Sequence, residues 1–306
     1  MRPACQTLIA YHAAVGPLLA SSSLRVDVAG TPAIDGLTLE STGQWVLVLG
    51  ASRGLFEAAS GLRDIEHGDL LVGGASPVFA SRAGAAAAAP LDPPLPPRWT
   101  VFQYIRWSAR LSGLSGASCE ASVRDALERL QLLPHRSARL GTASVAVRRG
   151  TVIGAAMATG ARILLLEDPI AGLGREAEGP FAHVVARAIL DRSAVFFAGR
   201  VALDSPVAIA ADEAIVIDGS SVVAQGPPAE IAVRTNTFGV RVVGDVEALR
   251  KALADSGCDL RESERGVDAD RFTVSLGNLG TSDLLRVAEA SHAVVLELRP
   301  LTRVFA

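Results

Sequence analysis

Four short runs constrain this chain most: WVLVL (residues 45–49), RILLL (162–166), SAVFFA (193–198) and AIVI (214–217). Each is too short for a typical helix and lacks the alternation of a strand with one wet face, so each is expected to be a strand buried on both sides. Helical stretches separate them. Strand and helix in that rhythm predict an α/β domain with a mostly parallel sheet. After the fourth run, Asp218, Gly219 and two serines turn the chain into Val222, Val223 and Ala224, a hairpin.

Between the first two runs lies a segment of different character. Residues 100–114 carry Val101, Tyr104, Ile105, Ala109 and Leu111 at helical spacing, and residues 120–132 carry Val123, Ala126, Leu127 and Leu130. A helical subdomain of about residues 98–160 is therefore inserted into the sheet domain. Ahead of it, residues 85–89 (AAAAA) read as a degenerate strand, and Pro90, Pro93, Pro94, Pro96 and Pro97 as a stiff connector. After Pro227 and Pro228 the pattern becomes strand 239–243, helix 246–256, strands 259–262 and 271–276, helix 282–290 and strand 293–298. That βαββαβ order is the split βαβ, or ferredoxin-like, arrangement. The expected units are an N-terminal extension (1–22), an α/β domain (23–234) and a small α+β C-terminal domain (238–306).

Composition closes off several functions. The 306 residues are 49% hydrophobic and 20% charged with a net charge of −3, which excludes general disorder and a dedicated nucleic-acid binder. Cys5, Cys119 and Cys258 lie far apart, so neither a disulfide scaffold nor a zinc module is expected. No apolar run reaches the roughly 18 residues of a membrane span. Residues 7–20 follow Arg2 and are interrupted by His12 and Pro17. They read as an amphipathic helix or a start placed too early, in preference to a secretion leader. Of 29 basic residues, 28 are arginine; the only lysine is Lys251.

The stretches AIDGLTLE (33–40), WVLVLG (45–50), GDLLVGG (68–74), DPPLPPRWTVFQYIRWSARLSGLS (92–115), ILLLEDPIAGLG (163–174), AIVIDGSSVVAQGPPAEI (214–231) and LRPLTRVF (298–305) occur in one order and spacing. In these the chain resembles the ATP-binding subunit of an ABC transporter, of the ABC-2 exporter type with a C-terminal domain. The resemblance covers residues 24–306. It implies the phosphate-loop NTPase fold with an inserted helical subdomain, plus the ferredoxin-like domain.

The resemblance also marks positions where the family's chemistry should reside. A phosphate loop GxxxxGKS/T cradles MgATP with backbone N–H groups and a lysine. Counted from Gly50 without gaps, its later positions fall on Leu55, Phe56 and Glu57; a gapped register gives Ser52, Arg53 and Gly54. Neither supplies a lysine. The adenine-stacking aromatic falls near Asp27 or Val28, and the γ-phosphate glutamine on Leu91. The signature LSGGQ reads Ala143, Ser144, Val145, Ala146 and Val147. The Asp-Glu pair for magnesium and water is reversed as Glu167 and Asp168; the later aspartate is Gly174, and the switch histidine is Arg200. Arg148, Arg149 and Arg200 read as surface or salt-bridge arginines.

These positions imply a catalytically degenerate subunit, a pseudo-ATPase. It would need no cofactor, with MgATP binding weakly at most. Its expected partners are a membrane permease and an active ABC paralogue or a second copy. Its expected place is cytoplasmic, on the inner membrane through a partner. Two alternatives stand beside it: a working exporter ATPase using Arg53 with the swapped Glu167/Asp168 pair, and a stand-alone ligand sensor or scaffold. The helix over 144–160, carrying Gly150 and Gly154, is expected to be short, kinked or mobile, since each mid-helix glycine costs roughly 0.5–1 kcal/mol relative to alanine.

Overall fold

The structure is a computed structural model that describes residues 16–202, 204–233, 237–264, 270–277 and 279–300. The first elements are β1 (Leu19–Val28), β2 (Thr31–Glu40), β3 (Trp45–Gly50), α1 (Arg53–Ala59), β4 (His67–Val72), α2 (Pro77–Arg82) and β5 (Ala86–Ala89). Strands β2, β1 and β4 form an antiparallel sheet in that order. The strand-helix rhythm of the sequence conceals this sheet. It also takes residues assigned to the extension: Leu19 is fully buried, pairs with Val72 and exchanges hydrogen bonds with Ser41. The helix expected over 7–20 therefore does not reach Leu19, and its residues 7–15 lie outside the described ones.

The helical subdomain follows as α3 (Val101–Leu111), α4 (Gly116–Arg129) and α5 (Val145–Ala158). Thr100 and Gln103 form a reciprocal capping box that starts α3, each side chain satisfying the other's backbone N–H. Then come β6 (Ile163–Glu167), α6 (Arg175–Ala188), β7 (Ser193–Ala198), α7 (Pro206–Ala210), β8 (Glu213–Ile217), β9 (Val222–Gly226) and α8 (Pro228–Val233). The main sheet runs β5-β6-β7-β3-β8-β9, parallel except for the β8–β9 hairpin.

Its central strands are buried on both faces, which is why their sequences read as continuous apolar runs. Trp45, Leu47, Leu49, Leu164, Leu166, Phe196 and Val216 point into a core shared with the helical subdomain. Val46, Val48, Leu165, Val195, Phe197 and Ile215 point into a second core with α1 and the antiparallel sheet. Phe56 of α1 meets Phe197 edge to face, with ring centroids 5.5 Å apart. At one end, the buried Glu213 carboxylate accepts N–H groups of Thr42 and Gly43 and the amide of Gln225. Burial alone would raise its pKa, but the hydrogen bonds prevail and hold it below the usual value.

The C-terminal unit is β10 (Thr237–Gly244), α9 (Val246–Asp255), β11 (Asp259–Glu264), β12 (Asp270–Ser275), α10 (Thr281–Ala290) and β13 (Ala293–Pro300). The sheet order β11-β12-β10-β13 is antiparallel throughout, and Leu249, Leu253, Leu284 and Ala288 cover one face. Residues 301–305 of the resembling C-terminal stretch lie outside the described residues.

One expectation is overturned. Helix α5 runs unbroken through both glycines, over 14 residues. The reason is close packing: a Cβ on Gly154 would lie 3.0 Å from Ile105 Cδ1 and 3.2 Å from Leu130 Cδ1, and one on Gly150 would lie 3.3 Å from Leu132. Ser108 and Ser122 also donate to the Ala155 and Ala158 carbonyls, tying α3 and α4 to α5. The glycines let three helices approach, and tertiary contact offsets their low propensity. Gly154→Val should therefore destabilise the protein by about 1–3 kcal/mol through overpacking. Urea unfolding checks this; a variant as stable as the parent contradicts the packing account.

Candidate functional site

The candidate site forms where β3 and β6 end at the same edge of the sheet. Gly50 closes β3 with φ +94°, and a Cβ there would collide with the Ile217 carbonyl oxygen, so only glycine fits. Two residues, Ala51 and Ser52, then connect to α1. Ala51 N–H donates to Ile217 O at 3.1 Å, and Ser52 N–H turns back to Gly50 O at 2.8 Å. Ser52 is buried, and its side chain caps nothing. Gly54 packs flat on β2, where a Cβ would sit 2.9 Å from the Ala33 Cβ. The N–H groups left at this end are those of the first helical turn, as at any helix start.

Charged side chains gather beside this turn. Arg53 is 81% exposed and lies 3.2 Å from Glu57 and 3.9 Å from Glu167, measured from its Nε. Glu57 also pairs with Arg63. The Glu167 carboxylate ends β6 and accepts the Leu91 N–H at 2.8 Å. Both positions implied by the resemblance, the loop arginine and the first acid, are thus held by each other and by the chain.

Arg149 is the functional-looking residue that the sequence misassigned. It is only 9% exposed, not a surface arginine, and no ion pair within 4 Å involves it among the described residues. Its guanidinium donates Nη1 to the Leu91 carbonyl and Nη2 to the Ala171 carbonyl at 3.1 Å, while Nε has no partner. Burial pulls its pKa below the usual arginine value, against the pull of Asp92, Asp168 and Glu167. Arg149 sits in the second turn of α5, so this one side chain joins the helical subdomain to the loops after β5 and β6. Nothing in a single sequence distinguishes it from its neighbour Arg148.

Asp168 takes a left-handed backbone, φ +40°, uncommon for a residue with a Cβ. Its N–H donates to Phe197 O, and its carboxylate accepts from the Gly199 N–H. Burial, then repulsion from Glu167, raises its pKa despite Gly199 and Arg149. The other positions stay peripheral. Ser144 N-caps α5 by accepting from Val147, Gly174 precedes α6 without a side-chain cap, and Arg200 is exposed beside Gly199. No three His, Cys, Asp or Glu side chains converge as a metal site among the described residues.

The Asp168 shift has a definite sign. A carboxyl whose folded pKa is raised binds its proton more tightly folded than unfolded, so ionisation opposes folding. The deficit is full above the folded pKa and vanishes below the unfolded value of about 3.9. Asp168→Asn removes the charge, keeps an acceptor for Gly199 and tolerates the left-handed backbone. It should raise Tm at neutral pH, with the gain shrinking toward pH values below about 3.9. A lower Tm at neutral pH contradicts this account of the site.

A groove of about 260 Å³ adjoins the Leu91 loop, lined by Ala86, Ala88, Pro90 and Pro93 on the sheet side and Tyr104 and Ser108 on α3. Beside it, Trp107 stacks edge-on against Trp99 at 5.7 Å and remains 44% exposed.

No protein-family model matches the chain, and no curated protein sequence matches it. Solved structures do. An ATP-binding subunit of an ABC transporter superposes with TM-score 0.58 at 16% identity, covering 71% of this chain and 92% of that one. The cbiO1 protein of Clostridium perfringens, part of the ABC transporter complex cbiONQ, gives 0.60 at 18% identity over 78% of this chain and 95% of that one. MJ1267, an ATP-binding cassette of an ABC transporter, gives 0.59 at 15% identity over 70% and 93%. At these identities the likeness is one of fold: the chain has the α/β architecture of an ABC ATP-binding cassette, with additional antiparallel sheets.

Proposed function

We propose that this protein is a catalytically degenerate cassette subunit that serves as a structural or regulatory partner of a membrane permease, an active ABC paralogue or both. The observation that carries the reading is the two-residue turn from Gly50 to Arg53, whose Ala51 and Ser52 N–H groups are bonded within the protein. A triphosphate needs converging N–H donors and a cation aimed at it. This turn offers only the first-turn donors of α1, and Arg53 lies between two glutamates. Magnesium fares no better, because Glu167 already takes the Leu91 N–H and Asp168 is the acid whose ionisation is disfavoured. The residues present do not fit MgATP, and no hydrolytic step is assigned to them.

The partner half of the reading rests on what persists. The helical subdomain shares a continuous apolar core with the sheet, and the groove between β5 and α3 presents small side chains beside exposed Trp107. The resemblance implies that a permease contact would fall on this lobe, and the structurally similar cbiO1 is part of a transporter complex. No helix among the described residues is long and apolar enough to cross a membrane.

Titration calorimetry with millimolar MgATP should give no binding heat for the protein alone, and no heat beyond the paralogue's own for its mixture with an intact paralogue. Purification from its own cells should recover a membrane permease or an ABC subunit. Saturable heat from the protein alone contradicts the degenerate site, and recovery of neither partner contradicts the role.

A further inference from the structure

The charge of the chain is unevenly placed. Residues 93–160 hold nine arginines and three acids, Glu120, Asp125 and Glu128, a net of +6. The whole chain carries −3, so the remaining residues sum to −9. Asymmetry on this scale within one chain is a signal of interaction with a charged surface. The acids do not neutralise the lobe evenly. Glu120 pairs with Arg106 at 2.8 Å, and Asp125 pairs with Arg129, which also reaches Asp191. Arg149 is buried.

Three of the remaining arginines are brought together by the backbone. Residues 97–101 and 138–141 run side by side, with Leu140 N–H donating to Trp99 O, Gly141 N–H to Pro97 O and Val101 N–H to Ala138 O. Thr100 and Arg139 form an antiparallel bridge. Trp99 and Leu140 turn toward the core, so alternation puts Arg98 and Arg139 on the opposite, solvent face. They occupy diagonal positions of the pair, roughly 7–8 Å apart at the backbone. Arg136 is exposed as well, and its carbonyl accepts the Phe102 N–H at 3.0 Å, which fixes it beside the start of α3. None of Arg98, Arg136 and Arg139 has an acidic partner among the described residues. On the 3-10 turn just before Arg136, Leu133 is 41% exposed.

We infer that this ribbon docks directly on an anionic lipid surface, with the guanidiniums on headgroup phosphates and Leu133 in the headgroup layer. Arginine presents a planar fork that pairs with phosphate oxygens, and its stem tolerates a partly apolar boundary. An exposed leucine on the turn that leads into Arg136 suits a layer that offers anions and apolar contact together; an acidic peptide would engage the charges and leave the leucine wet. The contact stands apart from the proposed permease docking, because it needs no second protein.

The test is sedimentation of the full chain with phosphatidylcholine vesicles, with and without phosphatidylserine, at about 0.1 M salt, where the Debye length is about 10 Å. Binding is expected only with phosphatidylserine and should be lost at about 1 M salt. Arg98→Gln/Arg136→Gln/Arg139→Gln should weaken it roughly 100-fold, from about fivefold per basic residue near an anionic leaflet. The triple variant should keep the parent's Tm, since the three side chains are exposed. Leu133→Ser should weaken binding without changing its salt dependence. No binding to phosphatidylserine vesicles, equal binding by the triple variant, or capture by polyglutamate with no vesicle binding each overturns the inference. A permease recovered from cells leaves these outcomes unchanged, so the two proposals fail separately.

Discussion

The close approach of Gly50 to the Ile217 carbonyl governs how the chain leaves its sheet. Because glycine carries no Cβ, the end of β3 comes up against the Ile217 carbonyl, to which the Ala51 N–H also bonds. The chain then has two residues in which to reach α1, and Gly54 lets α1 settle on Ala33 and Ile34 of β2. This short exit seats Leu55 and Phe56 in the core between the main sheet and the antiparallel sheet. The same exit leaves a two-residue connection, Ala51 and Ser52, between β3 and α1.

The charges near that turn follow from it. Arg53 lies beside Glu57 and Glu167, and Glu167 accepts the Leu91 N–H. Arg149 takes the other side of Leu91 and reaches Ala171. A buried guanidinium bonded to two carbonyls is worth keeping only if the loops stay put, since each hydrogen bond to a charged group contributes about 1.5–3 kcal/mol. The result couples α5, and with it the helical subdomain, to the ends of β5 and β6. In such a frame the carboxylate with the least support is Asp168, in a left-handed turn next to Glu167.

The sheet was legible because its strands are buried twice: WVLVL, SAVFFA and AIVI leave no other periodicity to follow. The C-terminal βαββαβ order was legible from alternation in strands such as β12, where Phe272 and Val274 face inward. Less visible was the antiparallel sheet, since β1 holds Ser21, Ser22 and Ser23 and turns apolar only at alternate positions. Helix α5 defeated propensity because the atoms that compensate Gly154 belong to Ile105 and Leu130, distant in sequence. Arg149 defeated it for the same reason: its acceptors are backbone carbonyls at residues 91 and 171, which have no side-chain signature. In the candidate site, residue types could be read from the sequence, but not which groups satisfy one another.

The proposal that the turn after Gly50 gives no seat to a triphosphate rests on the Ala51 and Ser52 N–H groups and the Glu167 carboxylate being bonded within the protein. Amide hydrogen exchange of residues 50–56 and of Leu91, followed with and without excess MgATP, addresses it most directly. The account predicts identical exchange in both conditions, with Ala51 and Leu91 protected throughout. Slowed exchange across residues 53–56 on adding MgATP, with release of the Leu91 amide as Glu167 moves to a metal ion, contradicts it.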